Sequence, residues 1–410
     1  MLTRRQLLGT GAGLSAVALG GAIPGLFARA AGAAAPADRG DRVLVVVELA
    51  GGNDGLNTVI PFEDDLYHKA RPTLRLAKEQ VQKLTDQVGL HPSMAAAAEL
   101  FKAGQLAVVQ GVGYPQPDRS HFRSMEIWHT ASTAPRAPST GWLGRALDAS
   151  FQEGDEERLA GLALTDSLPQ AFQADRLTVP VVKRVEDFGT GVADGPGADP
   201  PRARLLRGLS TGPTVRGEPM PFLRRQAETA YRTAAKVRDA AAKYQSDVEY
   251  PGNLGAQLRR AAQVIAANLG VRLLWVSQDG YDTHSKQAPA HQALLGELAG
   301  ALAAFQKDLE KQKSAERVLV LTFSEFGRRV EENASGGTDH GAASCLFLCG
   351  AKVKGGLAGR YPSLEKLDEG DLIHTVDFRG VYAAVLAKWL GCDAGALLGE
   401  KFQTLELLRV

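Results

Sequence analysis

The run Val43-Leu44-Val45-Val46-Val47-Glu48-Leu49 constrains this chain more than any other segment. Six of its seven residues are branched and apolar, so a strand built from them has no face to turn to water and must be covered on both sides. The turn Gly51-Gly52-Asn53-Asp54-Gly55 then ends the strand abruptly. Runs of the same kind recur at 106–110, 271–277, 318–323 and 343–349, and segments with helical periodicity lie at 92–102, 253–269, 289–311 and 376–390. This alternation predicts an α/β fold: a doubly wound, mainly parallel sheet with helices on both faces. Ligands of such sheets bind beyond the carboxyl ends of the strands, which is where the chemistry is to be sought.

Composition narrows the reading. With 44% hydrophobic and 23% charged residues, the chain is neither a disordered polymer nor a coiled coil. Forty-seven basic residues against forty-six acidic ones leave no global field that would attract nucleic acid. Three cysteines do not make a disulfide scaffold. Cys345 and Cys349, four apart on one expected strand, would stand roughly 13 Å from each other, so they are expected as core thiols.

Residues 1–35 carry Arg4, Arg5 and Arg29 and no acid. The order Arg4-Arg5-Gln6-Leu7-Leu8, a Gly/Ala-rich weakly apolar stretch and small residues from Ala28 to Ala35 reads as a twin-arginine-type signal peptide. Gly20, Gly21 and Pro24 interrupt its apolar run well short of a membrane span. The expectation is a periplasmic or secreted protein exported by the twin-arginine route, with no membrane span in the mature chain. Residues 36–410 are expected to form a single α/β domain, with an irregular Gly/Pro/Arg-rich excursion at about 185–220 and a long helix at 222–244.

The segments after the strands carry the reactive side chains. Asp54 follows the first strand; Arg119, Ser120 and Arg123 follow the second; Asp282 and His284 follow the third; Glu325 follows the fourth, with Asp339 and His340 shortly beyond. Carboxylates with imidazoles are ligands for zinc, manganese or a similar divalent ion, and a hydroxyl beside such an ion can attack phosphorus or sulfur. Each piece also has an ordinary reading. Asp54 suits a turn, Ser120 a helix cap, Asp282 and His284 a mutual hydrogen bond, and Glu325 with Arg328 a simple ion pair. Their occurrence at successive strand ends favours one shared cleft. His291 stands near enough in sequence to join it, while His68, His91, His129 and His374 read as packing or surface residues.

The stretches GGNDGLNTVIP, PDRSHFRSMEIWHTA, YDTHSKQ and LTFSEFGRRVEENASGGTDHGAAS resemble the exported family called domain of unknown function 1501, over nearly all of 42–410. That family is similar to the alkaline phosphatase and sulfatase superfamily. The resemblance implies one or two divalent ions (zinc, manganese, magnesium or calcium) held by Asp54, Asp282, His284, Glu325, Asp339 and His340. It also implies Ser120 as nucleophile, with Arg119 or Arg123 on the oxygens of a small phosphate or sulfate ester. Two departures stand out. Asp282 and His284 are closer in sequence than the superfamily's pair, and Phe326 stands where its metal-binding histidine would follow the acid. Asp339-His340 then reads either as the superfamily's Asp-His pair displaced by an inserted loop or, preferred because an apolar strand follows directly, with His340 as the later, separate histidine. An exported metal-dependent ester hydrolase is expected; a noncatalytic binding or assembly protein of the cell envelope, with an exported protein partner, is the alternative.

Export is directly testable. Arg4→Lys combined with Arg5→Lys should leave the precursor in the cytoplasm of fractionated cells, because the translocase reads the adjacent arginines. Unchanged periplasmic accumulation would rule out that route.

Overall fold

The computed structural model describes residues 41–151, 159–182, 239 and 242–410. The expected signal segment, the 185–220 excursion and nearly all of the 222–244 helix lie outside these residues. Among the described residues no helix is long and apolar enough to cross a membrane.

Among the described residues the central sheet contains eight strands: β1 (Val43–Ala50), β2 (Leu106–Gly113), β3 (Gly161–Ala163), β4 (Leu273–Asp279), β5 (Val318–Phe323), β6 (Ser344–Cys349), β7 (Gly356–Ala358) and β8 (Val376–Asp377). Their order is β7-β2-β6-β5-β1-β4-β3, with β8 pairing onto the end of β2. β1 sits between β5 and β4, parallel to both, with Val46 opposite Leu321 on one side and Trp275 on the other. Only β6 runs against its neighbours β2 and β5. The fold is therefore α/β with a mainly parallel sheet, as the alternation of strands and helices implied.

The unbroken apolar run of β1 follows from its place. Val43, Val45, Val47 and Leu49 enter one core with the helices Ala95–Lys102 (α1), Gly252–Ala266 (α4) and Gln287–Lys311 (α5). Leu44 and Val46 enter a second core on the opposite face, with His121–Thr130 (α2), Trp142–Ala149 (α3) and Phe378–Ala384 (α6). Each fully buried Val or Leu contributes roughly 1.5–3 kcal/mol, so the central strand anchors both layers. Cys345 and Cys349 are buried free thiols.

The reversed direction of β6 matters for function. A parallel strand brings the residues after it to the carboxyl edge, whereas β6 brings the residues before it. His340 reaches the same edge as the loops after β1, β2, β4 and β5 by this means. An isolated antiparallel bridge between Arg328 and His340 carries the β5–β6 pairing on into those loops.

Two buried histidines set a pH limit on the fold. His129 packs its ring edge-on against Trp275 at 5.1 Å between centroids, and its Nε2 has no hydrogen-bond partner. Burial holds its pKa down at about 4. His291 is likewise held at about 4, chiefly by burial against the opposing pull of Asp54. An unfolded imidazole titrates near 6.5, so between pH 6.5 and 4 the unfolded state binds more protons than the native one. Stability present above pH 6.5 is therefore lost as the pH falls through that window, on the order of 3 kcal/mol for His129 at about 1.4 kcal/mol per unit. In urea unfolding, wild type should lose more stability than His129→Leu between pH 7 and 4.5, by roughly 2–3 kcal/mol. Equal losses would mean that His129 is not held neutral.

Candidate metal centre

Two glycines let the loops at this edge close on one another. Gly51 and Gly52 both have positive φ, at +119° and +82°. A Cβ on Gly51 would strike the backbone of Tyr281 and Asp282, and one on Gly52 the ring of Phe326. The turn after β1 can thus press against the loops after β4 and β5 only with glycine at both positions.

Three imidazoles and a carboxylate meet in the space so formed. His284 Nε2 lies 3.0 Å from His340 Nε2, and each of these nitrogens lies 3.1 Å from Asp282 Oδ1. His121 Nε2 is 3.7 Å from Asp282 Oδ2. Ligand atoms of His121, Asp282 and His340 all fall within 4.8 Å of one another, a group that could hold a metal ion.

The opposite ring nitrogens are all fixed. His340 Nδ1 donates to the Arg119 carbonyl at 2.8 Å, His121 Nδ1 to Glu325 Oε1 at 2.8 Å, and His284 Nδ1 to Asp339 Oδ1 at 3.0 Å. A carbonyl or an ionised carboxylate can only accept, so each imidazole keeps a proton on Nδ1 and turns Nε2 inward. Nε2 of His284 and of His340 face each other at 3.0 Å, and both face a carboxylate oxygen. Such an arrangement needs positive charge between its atoms, supplied by a proton on Nε2, as in the His340–Asp282 hydrogen bond, or by a bound cation. Four ligands at 2.0–2.1 Å from a tetrahedral ion would be separated by roughly 3.3 Å, close to the 3.0–3.1 Å among His284 Nε2, His340 Nε2 and Asp282 Oδ1. Carboxylates and carbonyls behind ligating histidines are the usual means of fixing their tautomer.

Asp282 is partly buried, which opposes its ionisation, yet the hydrogen bond from Arg328 at 2.7 Å and that with His340 hold its pKa at about 2. Phe326, on the position read as a lost histidine, lies under the cluster with its ring centroid 4.9 Å from that of His121 and 4.6 Å from that of His340. It is buried and forms an apolar wall.

The sequence-derived residues divide as follows. Asp282, His284 and His340 meet directly. Asp339 and Glu325 stand behind histidines rather than beside the converging atoms. Glu325 pairs with His121 and accepts from Gly51 N, while Arg328 pairs with Asp282, so the simple Glu325–Arg328 ion pair is not formed. Asp54 is not among the converging groups. It is fully buried, with Arg71 Nη1 on Oδ2 at 2.6 Å and Nη2 on Oδ1 at 3.1 Å, and Gln287 Nε2 also donates to Oδ2. Burial would raise its pKa, but the Arg71 charge outweighs this and holds it at about 2. His291 lies in the same buried network, bonded to Asn53 Oδ1 at 3.0 Å.

Ser120 is exposed and occupies the N-cap of α2, but its hydroxyl makes no capping bond. It stands between Arg119, whose carbonyl holds His340, and His121 of the cluster. The Arg119 guanidinium is committed to Asp371 and Glu369, and that of Arg123 to Glu126 and the carbonyls of Thr133 and Ala134. His121 itself was not singled out in the sequence; its only signal there was its place beside Ser120 after a strand. Gln287 was missed too. Its Oε1 accepts from Thr283 Oγ1 at 3.0 Å and Thr338 Oγ1 at 2.6 Å, tying together the two loops that carry Asp282, His284 and His340.

Comparison with solved structures gives distant likenesses. One is to a protein of the alkaline phosphatase superfamily from Vibrio parahaemolyticus, 11% identical with a TM-score of 0.35, over 79% of this chain and 64% of that one. Another is to the C-terminal periplasmic domain of EcEptC from Escherichia coli in complex with Zn, 10% identical with a TM-score of 0.34, over 75% and 72%. A third is to the PsFucS1 sulfatase from Pseudoalteromonas sp., 10% identical with a TM-score of 0.33, over 88% and 68%. Likenesses this distant leave the chemistry of the site to be read from its own side chains. No curated protein matches the sequence. The model of the family described as Protein of unknown function (DUF1501) matches residues 41–394, and the chain belongs to that family.

Proposed function

We propose that this protein is an exported hydrolase of phosphate or sulfate esters that works with one divalent cation, held by His121, Asp282, His284 and His340. The observation that carries the reading is the convergence of three imidazole nitrogens on a carboxylate, with the opposite nitrogen of each ring fixed by a hydrogen bond. Three nitrogens and one oxygen suit zinc or another borderline ion better than magnesium or calcium. The bidentate pairing of Asp54 with Arg71 favours one ion over two.

A cation held there would supply Lewis acidity, making a nearby hydroxyl easier to deprotonate. Ser120 is the hydroxyl best placed for this, one residue from His121 and free of any capping bond. At the start of α2 no side chain caps the first-turn N–H groups, which would favour negative charge developing beside the serine. In the proposed reaction the serine gives up its proton and its Oγ bonds to phosphorus or sulfur, while the alcohol leaves and takes up a proton. Water then releases the acid from the serine and restores the hydroxyl. His121, His284 and His340 keep their rings oriented throughout through Glu325, Asp339 and the Arg119 carbonyl.

Three variants read separate parts of this scheme. Ser120→Ala should abolish turnover of chromogenic phosphate mono- and diesters and sulfate esters, while metal content and Tm stay nearly unchanged, since no cap bond is lost. His340→Ala should lose metal and activity together. Glu325→Gln should weaken metal binding by about 10–100-fold, because it alters the group that orients His121. Metal content is read by elemental analysis of protein purified from the periplasm. A metal-loaded Ser120→Ala variant that still turns over substrate would remove the nucleophile assignment. A metal-loaded wild type that is inert across the panel would point instead to a binding or assembly protein of the cell envelope.

A further inference from the structure

Phe122 is 92% exposed, while the next large apolar side chain among the described residues, Ile373, is 47% exposed. A lone apolar side chain on a surface is ordinary. The place of this one is not, because it follows Ser120 and His121 directly, and one peptide, about 3.8 Å between Cα atoms, separates it from His121.

The helix fixes the side on which the ring stands. Phe122 and His129 are seven residues apart on α2, two full turns, and so share one stripe of its surface. His129 packs on Trp275 of β4, which places that stripe over β4. Its other end reaches the carboxyl edge, where His121 meets Asp282. Seven helical residues span roughly 10 Å and the four strand residues from Trp275 to Asp279 roughly 13 Å, so the ring of Phe122 stands over the end of β4.

The sheet below it changes character there. On the face turned to α2, Leu44 and Val46 of β1 and Leu273 and Trp275 of β4 are buried and apolar. The next residues on that face are Glu48 and Ser277, which are register partners and only half-buried, and then the exposed Asp279. Trp275 Nε1 donates to Glu48 Oε2 at 3.1 Å. Burial lifts the Glu48 pKa to about 7 against this hydrogen bond, and the charges of Glu325 and Asp279 add to the rise. Glu48 thus lies near the carboxylate that holds His121.

A free aromatic face above a floor of carboxyl and hydroxyl groups calls for a ligand that is apolar on one side and hydroxylated around its rim. A sugar ring has that form, with C–H groups on its face and hydroxyls at its edge. We infer that Phe122 selects the alcohol half of the ester and that this half is a sugar, its ring packed on Phe122 and its hydroxyls turned to Glu48, Ser277 and Asp279. The inference rests on the hydrolase reading for the reaction, but not for the binding itself.

The test uses protein purified from the periplasm, supplied with zinc and labelled with 4-fluorophenylalanine, the Phe122 signal being identified through Phe122→Leu. Glucose 1-phosphate, glucose 6-phosphate and galactose 6-sulfate are titrated against glycerol 3-phosphate, which has hydroxyls and an anion but no ring. At least one sugar should shift the Phe122 fluorine signal saturably and bind about tenfold more tightly than glycerol 3-phosphate in calorimetry. Phe122→Ala should erase that preference and Phe122→Trp restore it, with Tm and zinc content unchanged in both, since so exposed a ring supports little of the fold.

No preference for any sugar, or the same preference in Phe122→Ala, overturns the inference. So does a Phe122→Ala variant that loses only cosedimentation with phosphatidylglycerol vesicles, which would make the ring a membrane contact. Sugar preference in a protein inert toward every ester would sink the hydrolase reading and leave the sugar platform standing. Turnover of esters with and without a ring, at equal KM and with the Phe122 signal unmoved, would do the reverse.

Discussion

The carboxyl edge of this sheet is held together by the guanidinium of Arg328. Its Nε donates to the Gly52 carbonyl, its Nη1 to that of Thr338, and its Nη2 to those of Gly51 and Tyr281 and to Asp282 Oδ1. One side chain, 1% exposed, thus binds the loops after β1, β4 and β5 and the segment leading into β6. A buried cation is tolerable only when its donors are all met, and stripping a partner from such a group costs roughly 3–5 kcal/mol. The loops are consequently not free to separate, and Asp282 is fixed in its charged form at the point where the imidazoles meet.

A second buried guanidinium supports the first. Arg71 grips Asp54 and also donates to the carbonyls of Arg329 and Val330, the two residues that directly follow Arg328. Asp54 in turn receives Gln287, and Gln287 receives Thr283 and Thr338. The chain Arg71–Asp54–Gln287 therefore ends one residue from Asp282, His284 and Asp339. Asp54 serves the cluster from behind: its charge is spent on Arg71, and its influence on the histidines passes through hydrogen bonds. A site arranged in this way is stiff before anything binds, which favours binding and catalysis alike.

How far this could be read from the sequence depends on the range of the interaction concerned. The five long strands were legible because double burial imposes an unbroken apolar run, and the long helices because one-sided burial imposes their period. Strands of two or three residues, such as Gly161–Ala163 and Gly356–Ala358, carry no such pattern. Asp282, His284 and His340 were legible as candidates because they follow or precede strands of this kind. The pairing of Asp54 with Arg71 was not, although only seventeen residues separate them, because nothing local to a glycine turn says which cation will reach it.

Local chemistry therefore determined the sheet, its two covered faces and the edge at which reactive groups collect. The tertiary structure decided the direction of β6, and with it how His340 arrives at that edge. It also decided which carboxylates face the centre and which stand behind a histidine, and that Phe326 serves as a wall. The reason is physical. Burial acts on each residue in turn and so leaves its period in the sequence, whereas a hydrogen bond between two loops depends on a distance that exists only once the strands between them have paired.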